Sequence, residues 1–321
     1  MSNITMPIIA AAMNQVSDSQ LAIACRNAGI LPSISFMNFI DKDTHQINWN
    51  AFEDEIKNYN DKTNSKDLII SIGTKTLLFE SLREKLVKVF DNISYSHLEI
   101  IPMLDLLPLL RLDVQNVSFT NTDFEEQYKK RIDSLKEIKQ QLSYPIVYWK
   151  SIGLKGAMIT LQHANFIDGV ILKGENGAGT IAKSYGNLEY NIKEIKSKFP
   201  TVEVIASGGI STHADIKKYL ELGADKVAIG TLFAASEESK ISTESKMEYV
   251  NRNLQDLSKI SGYQSGIVFK QLEKDDANNT FSLQAGIESS KKGHLFAGKA
   301  IANIKEILPV KEIVEHLWPK N

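Results

Sequence analysis

From residue 7 onward the chain alternates short, β-branched apolar runs with longer segments of helical period, and the alternation recurs eight times. The runs span 7–12, 30–36, 68–72, 98–104, 146–149, 169–172, 202–206 and 226–229. Each is short enough for a strand buried on both faces, as parallel strands are. Between them, apolar residues recur at helical spacing over 17–28, 48–60, 75–90, 123–141, 154–165, 188–198 and 213–222. Parallel strands need crossovers of this length, and eight βα repeats favour a closed (β/α)8 TIM barrel over an open doubly wound sheet.

Local punctuation agrees with this division. Ser17 is the predicted N-cap of the first helix, with Leu21, Ala22, Ala24 and Cys25 following and Gly29 standing where a helix stops. The fourth unit is the least regular, because Asp105–Asn121 combines Pro108 with several leucines and no clean period. Beyond the eighth strand, 237–290 is polar and mixed, with 273–279 reading as an exposed connection, and His294–Leu317 regains a helical period. The expected organisation is a barrel over 1–236, a small inserted helical subdomain over 237–293 and a C-terminal helical segment over 294–321 packing on the barrel.

Charge and cysteine usage narrow the function. The balance of 37 basic and 39 acidic side chains leaves −2, which favours neither nucleic acid nor an anionic membrane and points to a small-molecule substrate. The single cysteine, Cys25, excludes an intramolecular disulfide and any Cys-based zinc site, and it is expected inside the first helix as a small apolar residue. Met1–Met6 lacks the basic-then-apolar pattern of a leader, and no apolar run approaches the roughly 18 residues of a spanning helix. A cytoplasmic protein is expected, with assembly as a homodimer left open. No H-E-x-x-H, Cys/His cluster or EF-hand loop is present, so no metal is expected, and no G-x-S-x-G elbow offers a serine nucleophile. Gly174-Glu175-Asn176-Gly177-Ala178-Gly179 has the wrong glycine spacing for a dinucleotide fingerprint.

The most informative block is Val204-Ile205-Ala206-Ser207-Gly208-Gly209, followed one βα unit later by Val227-Ala228-Ile229-Gly230-Thr231. Glycines at strand ends let main-chain N–H groups approach an anion, and the loops after barrel strands 7 and 8 are the common phosphate site. Ser207 and Thr231 add hydroxyl donors. This pairing predicts a phosphate clamp and leaves the phosphorylated ligand open.

Pro7-Ile8-Ile9-Ala10-Ala11-Ala12-Met13, Val16-Ser17 and Leu21 to Gly29 resemble the nitronate monooxygenase family, formerly 2-nitropropane dioxygenases. The likeness continues through Gly169 to Gly174, the clamp, Gly230 to Ser239 and Ala297-Gly298-Lys299-Ala300, while 37–140 agrees only in pattern. The resemblance implies an FMN-binding barrel and an oxidoreductase that oxidises a small activated substrate such as an alkyl nitronate, with O2 or a nicotinamide as redox partner. It places Ala12, Met13, Lys150, Lys173, Ala178, Gly179, Ser207, Gly208, Gly209, Gly230 and Thr231 at the cofactor. Met13 would pack on the flavin ring, and Lys150 would face the negative charge that develops at N1 and C2=O on reduction. Lys173 replaces a polar or acidic residue of the family; it either strengthens anion binding or pairs with Glu175.

A second position departs from the family pattern. The glycine-rich loop after strand 6 ordinarily ends in a histidine base, and here that position is Thr180, whose hydroxyl does not accept a proton near neutral pH. Glu175, Asn176 and Tyr185 are the nearby candidates to replace it. Among the histidines, His45 and His97 lie in irregular regions, His163 falls on helix 5, His294 and His316 in the tail, and His213 at the start of helix 7 beside the clamp. Other readings of the same residues are an enoyl-thioester reductase using a reduced nicotinamide, a flavin-free isomerase or lyase with Lys150 and Glu175 as its acid–base pair, and a non-catalytic flavin binder.

Overall fold

The computed structural model of the protein describes residues 4–41, 44, 46–74, 76, 80–102, 122–142, 145–151, 153–180, 186–260, 264–269 and 280–320. Its strands are β1 Ile8–Ala10, β2 Ser33–Ser35, β3 Ile69–Gly73, β4 His97–Ile101, β5 Ile146–Ser151, β6 Gly169–Lys173, β7 Gly179–Thr180, β8 Glu203–Ser207 and β9 Lys226–Ile229. All but β7 form one parallel sheet in the order β1-β9-β8-β6-β5-β4-β3-β2. Its two ends meet. Ala10 N–H donates to Leu31 O at 2.9 Å and Leu31 N–H to Ile8 O at 3.0 Å, so the sheet closes into the expected (β/α)8 barrel.

The crossovers are α1 Ser19–Asn27, α2 Trp49–Thr63, α3 Glu80–Asp91, α4 Thr122–Gln141, α5 Gly153–His163, α6 Leu188–Lys198 and α7 His213–Glu221. Outward strand residues such as Ile70, Ile72, Trp149, Val170 and Val204 bury against these helices. Cys25 packs there fully buried, and burial raises its thiol out of the reactive range. The cap of α1 differs from expectation: Asp18, not Ser17, accepts the Leu21 N–H. Ser17 is buried and its hydroxyl is committed to the turn after β1, where it accepts from Met13 N–H and donates to Ala11 O. Gly29 ends α1 as predicted, at φ +86.

After β9 come the short α8 Thr231–Ala234, then α9 Thr243–Asn251, β10 Ser258–Ile260, β11 Gln264–Val268, α10 Thr280–Glu288, β12 His294–Phe296 and α11 Val310–Leu317. This segment contributes strands as well as helices. β11 pairs antiparallel with β10, β12 and β7, which ties the loop after β6 to a second, small sheet. The stretch from His294 to Leu317, expected as one helical segment, divides into β12, a 3-10 turn over Lys299–Asn303 and α11, because Gly298 and Pro309 interrupt it. The irregular Asp105–Asn121 and the polar 273–279 lie outside the described residues. Among the described residues no helix is long and apolar enough to cross a membrane, and no group of His, Cys, Asp or Glu has the arrangement of a metal site.

At the N-terminal end the barrel is plugged by charge. Tyr148 donates to Glu203 at 2.6 Å, Lys226 pairs with the same carboxylate, and the His97 ring lies 5.0 Å from that of Tyr148. Burial, with Lys226 adding to it, pushes the His97 imidazole down to about 4. The folded ring binds its proton more weakly than the unfolded one, so the stability carried by neutral His97 is present above pH 6.5 and lost as pH falls toward 4. The shift bounds the effect at roughly 3 kcal/mol. His97→Asn is expected to flatten, though not abolish, the fall in urea-unfolding free energy across that window, since burial lowers His294 in the same way. An unchanged slope would refute this role.

Candidate functional site at the barrel mouth

Strand alternation turns Ile9, Ile69, Tyr148, Ile171, Ile205 and Ala228 into a closed apolar layer inside the barrel. The next inward positions toward the strand C-termini are Ser71, Glu99, Lys150, Lys173, Ser207 and, just past β9, Gly230. A polar layer therefore sits directly under the mouth. Glu99 is 1% exposed, and a carboxylate so buried must be paired. Its Oε1 accepts from Lys150 Nζ at 2.8 Å and from Ser71 Oγ at 3.2 Å. Lys173 Nζ donates to Ala178 O, and burial together with the neighbouring Lys150 pushes it down to about 7.

Above this layer the glycines pack main chain on main chain. Gly208 and Gly209 take φ of +105 and +76, a region closed to most side chains. A Cβ on Gly209 would stand 2.6 Å from Asn176 Cβ, and one on Gly208 would stand 3.1 Å from the Gly177 main chain. Gly174 N–H donates to Ser207 O at 2.8 Å, and Lys299 N–H to Asn176 O at 3.0 Å. The Gly174–Thr180 loop is thus held between the end of β8 and the Gly298–Lys299 main chain. Gly230 faces Met13, whose Sδ would lie 3.4 Å from a Cβ at that position. The turn carrying Met13 is fixed by Asn38, which accepts from Gln15 N–H at 2.6 Å and donates to Ser17 O at 2.8 Å.

These residues fit a phosphate. The N–H groups of Gly208, Gly209, Gly230 and Thr231 go to no main-chain carbonyl among the described residues. Thr231 Oγ1 accepts from Gly298 N–H at 3.2 Å, which leaves its own proton to donate. Two glycine-ended strands side by side, with spare donors and lysines beneath, suit a dianionic headgroup.

The chain belongs to the nitronate monooxygenase family. That family's model matches residues 1–320, and its members are flavin-dependent oxidoreductases. Among solved structures the chain is similar to FabK from Thermotoga maritima, at 20% identity over 98% of this chain and 92% of that one, with a TM-score of 0.71. It is also similar to nitroalkane oxidase from Streptomyces ansochromogenes, at 16% identity over 98% and 95%, TM-score 0.67. At these identities the likeness is one of fold. GMP reductases match in part: that of Staphylococcus epidermidis is 32% identical over 118 residues and that of Staphylococcus aureus 34%. The chain covers 34% of the length of these curated relatives.

Within the family frame, the structure brings together most of the predicted positions and separates others. Ser207, Gly208 and Gly209 meet Asn176 and Gly177; Met13 meets Gly230; Lys150 and Lys173 share the neighbourhood of Glu99. Ala12 is partly buried in the turn between β1 and Met13, and Ala178 and Gly179 lie over Lys173. Lys173 is held by the Ala178 carbonyl of its own loop. Glu175 is exposed. The main chain of Thr180 pairs with Gln264 in the small sheet. His213, the best-placed histidine by sequence, lies with Nδ1 2.9 Å from Leu317 O and its ring 5.3 Å from Trp318, so it docks the end of α11. Tyr185 and His45 fall outside the described residues. Sequence reading missed Glu99, Ser71 and Asn38. For Glu99 the signal was a lone carboxylate inside the apolar run Leu98-Glu99-Ile100-Ile101.

Gly209→Ala tests the packing of the clamp. The added methyl combines an unfavourable φ with a 2.6 Å contact and is expected to destabilise the fold by about 1–3 kcal/mol. It should also lower affinity for inorganic phosphate at least tenfold, measured by calorimetry. Wild-type affinity in this variant would show that the loop yields freely.

Proposed function

We propose that the protein is an FMN-dependent oxidoreductase that oxidises a small, already anionic substrate, an alkyl nitronate being the leading class, with O2 as the electron acceptor. The observation that supports it most is the mouth itself, where the glycine clamp of β8 and β9 stands beside the pair of half-buried Lys150 and buried Glu99. Bound FMN would supply a two-electron acceptor that O2 can reoxidise.

The chain's own groups divide the remaining work. Gly208, Gly209, Gly230 and Thr231 N–H groups, with the Ser207 and Thr231 hydroxyls, hold the phosphate. Met13 offers a thioether to an aromatic face, while Ala12, Ala178 and Gly179 leave room for a planar ring system. Lys150 would present a cation to the negative charge that a reduced flavin carries, and Lys173 would add a second amine beside it. None of Thr180, Glu175 or Asn176 supplies a good base for a carbon acid: the first is a hydroxyl, the second an exposed carboxylate and the third an amide. A substrate that arrives deprotonated needs none.

The cofactor is tested by the visible spectrum of the purified protein and mass identification of what denaturation releases, with FMN expected. A colourless protein that does not bind added FMN would overturn the reading. For the substrate, oxygen uptake with preformed nitronates should exceed that with the matching neutral nitroalkanes by at least 100-fold in kcat/KM. Equal rates would reveal a base. NADH oxidation stimulated by an enoyl thioester would instead move the protein to the reductases.

A further inference from the structure

The polar layer under the mouth contains one carboxylate and two amines, delivered by three consecutive strands: Glu99 from β4, Lys150 from β5 and Lys173 from β6. Glu99 is the rigid member. It is 1% exposed, sits in the middle of a five-residue strand paired on both sides, and is held by Ser71 Oγ from β3. Lys150 is the adaptable member, a four-carbon stem whose side chain is 22% exposed toward the mouth. Left to itself such an ammonium would move out to water, away from the neighbouring Lys173 amine.

We propose that Glu99 is a positioning residue for the redox reaction, fixing the Lys150 ammonium beneath the flavin so that it meets the charge of the reduced ring. This rests on the FMN reading above. A charge fixed in advance stabilises a developing anion without reorganising, whereas a mobile one must be gathered each time. The surroundings reinforce the need for an anchor. Among the described residues, Lys173 from β6 and Glu99 from β4 are the ionisable groups beside Lys150, Glu175 stands exposed on the loop, and β3 and β8 offer Ser71 and Ser207. Burial, with the neighbouring Lys150 adding to it, holds Lys173 toward its neutral form, and the 2.8 Å bond to Glu99 is what keeps the Lys150 ammonium in place.

Two roles for Glu99 predict opposite signs. If Glu99 merely neutralised Lys150, Glu99→Gln would leave a fuller positive charge under the ring and raise the flavin midpoint potential. If it positions Lys150, Glu99→Gln should act in the direction of Lys150→Met and lower the potential. The expected loss is about tenfold in the preference for reduced over oxidised flavin, which for a two-electron couple is a fall of about 30 mV. The measurement is an anaerobic spectroelectrochemical titration of the FMN-loaded protein. Glu99→Asp should recover part of the loss, because the carboxylate is kept on a shorter stem.

A potential that is unchanged or higher in Glu99→Gln overturns the proposal. Should that variant fail to fold or retain flavin, Ser71→Ala removes only the 3.2 Å anchor of Glu99 and should lower the potential by a smaller amount; no fall there also overturns it. A wild-type chain that takes up no FMN would strike the cofactor reading itself, a different result from flavin held at an insensitive potential.

Discussion

Closure of the sheet is the constraint on which the rest depends. β1 is only three residues long, yet it is bonded on one side to β9 and on the other to the Leu31 main chain leading into β2. Without those last bonds the sheet would have two raw edges, and burial of unpaired main-chain groups is costly. The pairing of β1 with β9 on its other side carries the two strand ends together, which is why Met13 comes to lie against Gly230 although the two are far apart in sequence. The same ring turns every second strand residue into a shared interior. An apolar layer fills the middle, and charges are confined to the two ends.

The two charged ends differ in kind. At the N-terminal end, Glu203 is matched by Lys226 and Tyr148 and nothing is left over, the pattern of a plug that serves stability. At the C-terminal end two lysines crowd one glutamate beneath a collar of glycines, an arrangement that a folded protein gains nothing from on its own. An amine held toward its neutral form beneath spare N–H donors makes sense when an anion completes the site and favours its charged form.

Much of this is legible in the sequence. The eight strands stand where short apolar runs stand, because strands buried on both faces leave little choice of residue, and the glycines of the clamp are visible because a side chain would be strained at φ of +105 at Gly208 and crowded against Asn176 at Gly209. Glu99 was not legible, since one carboxylate in Leu98–Ile101 reads as a blemish until the barrel turns it inward, where Lys150 of the adjacent strand β5 reaches it. The helix start at Asp18 was misread by one residue because Ser17 and Asp18 are both good caps, and only the buried turn at Met13 decides which is free to act. The pairing of Gly179 and Thr180 with Ser265 and Gln264 was invisible for a different reason. A two-residue strand has no alternation to detect.

The pairing of β1 with β9, with Val227 N–H donating to Pro7 O at 2.8 Å, has a kinetic meaning as well. Contacts that span most of a chain form late, since a long loop must be closed before they return any stabilisation. Until β9 arrives, β1 and β8 are open edges of a curved, apolar sheet, the kind of surface on which partly folded chains associate. The lysine and glutamate at the starts of β9 and β8 then acquire a second use: charges on strands awaiting a partner discourage the wrong one. The element that closes this barrel is therefore also the one that sets how long the growing fold stays vulnerable.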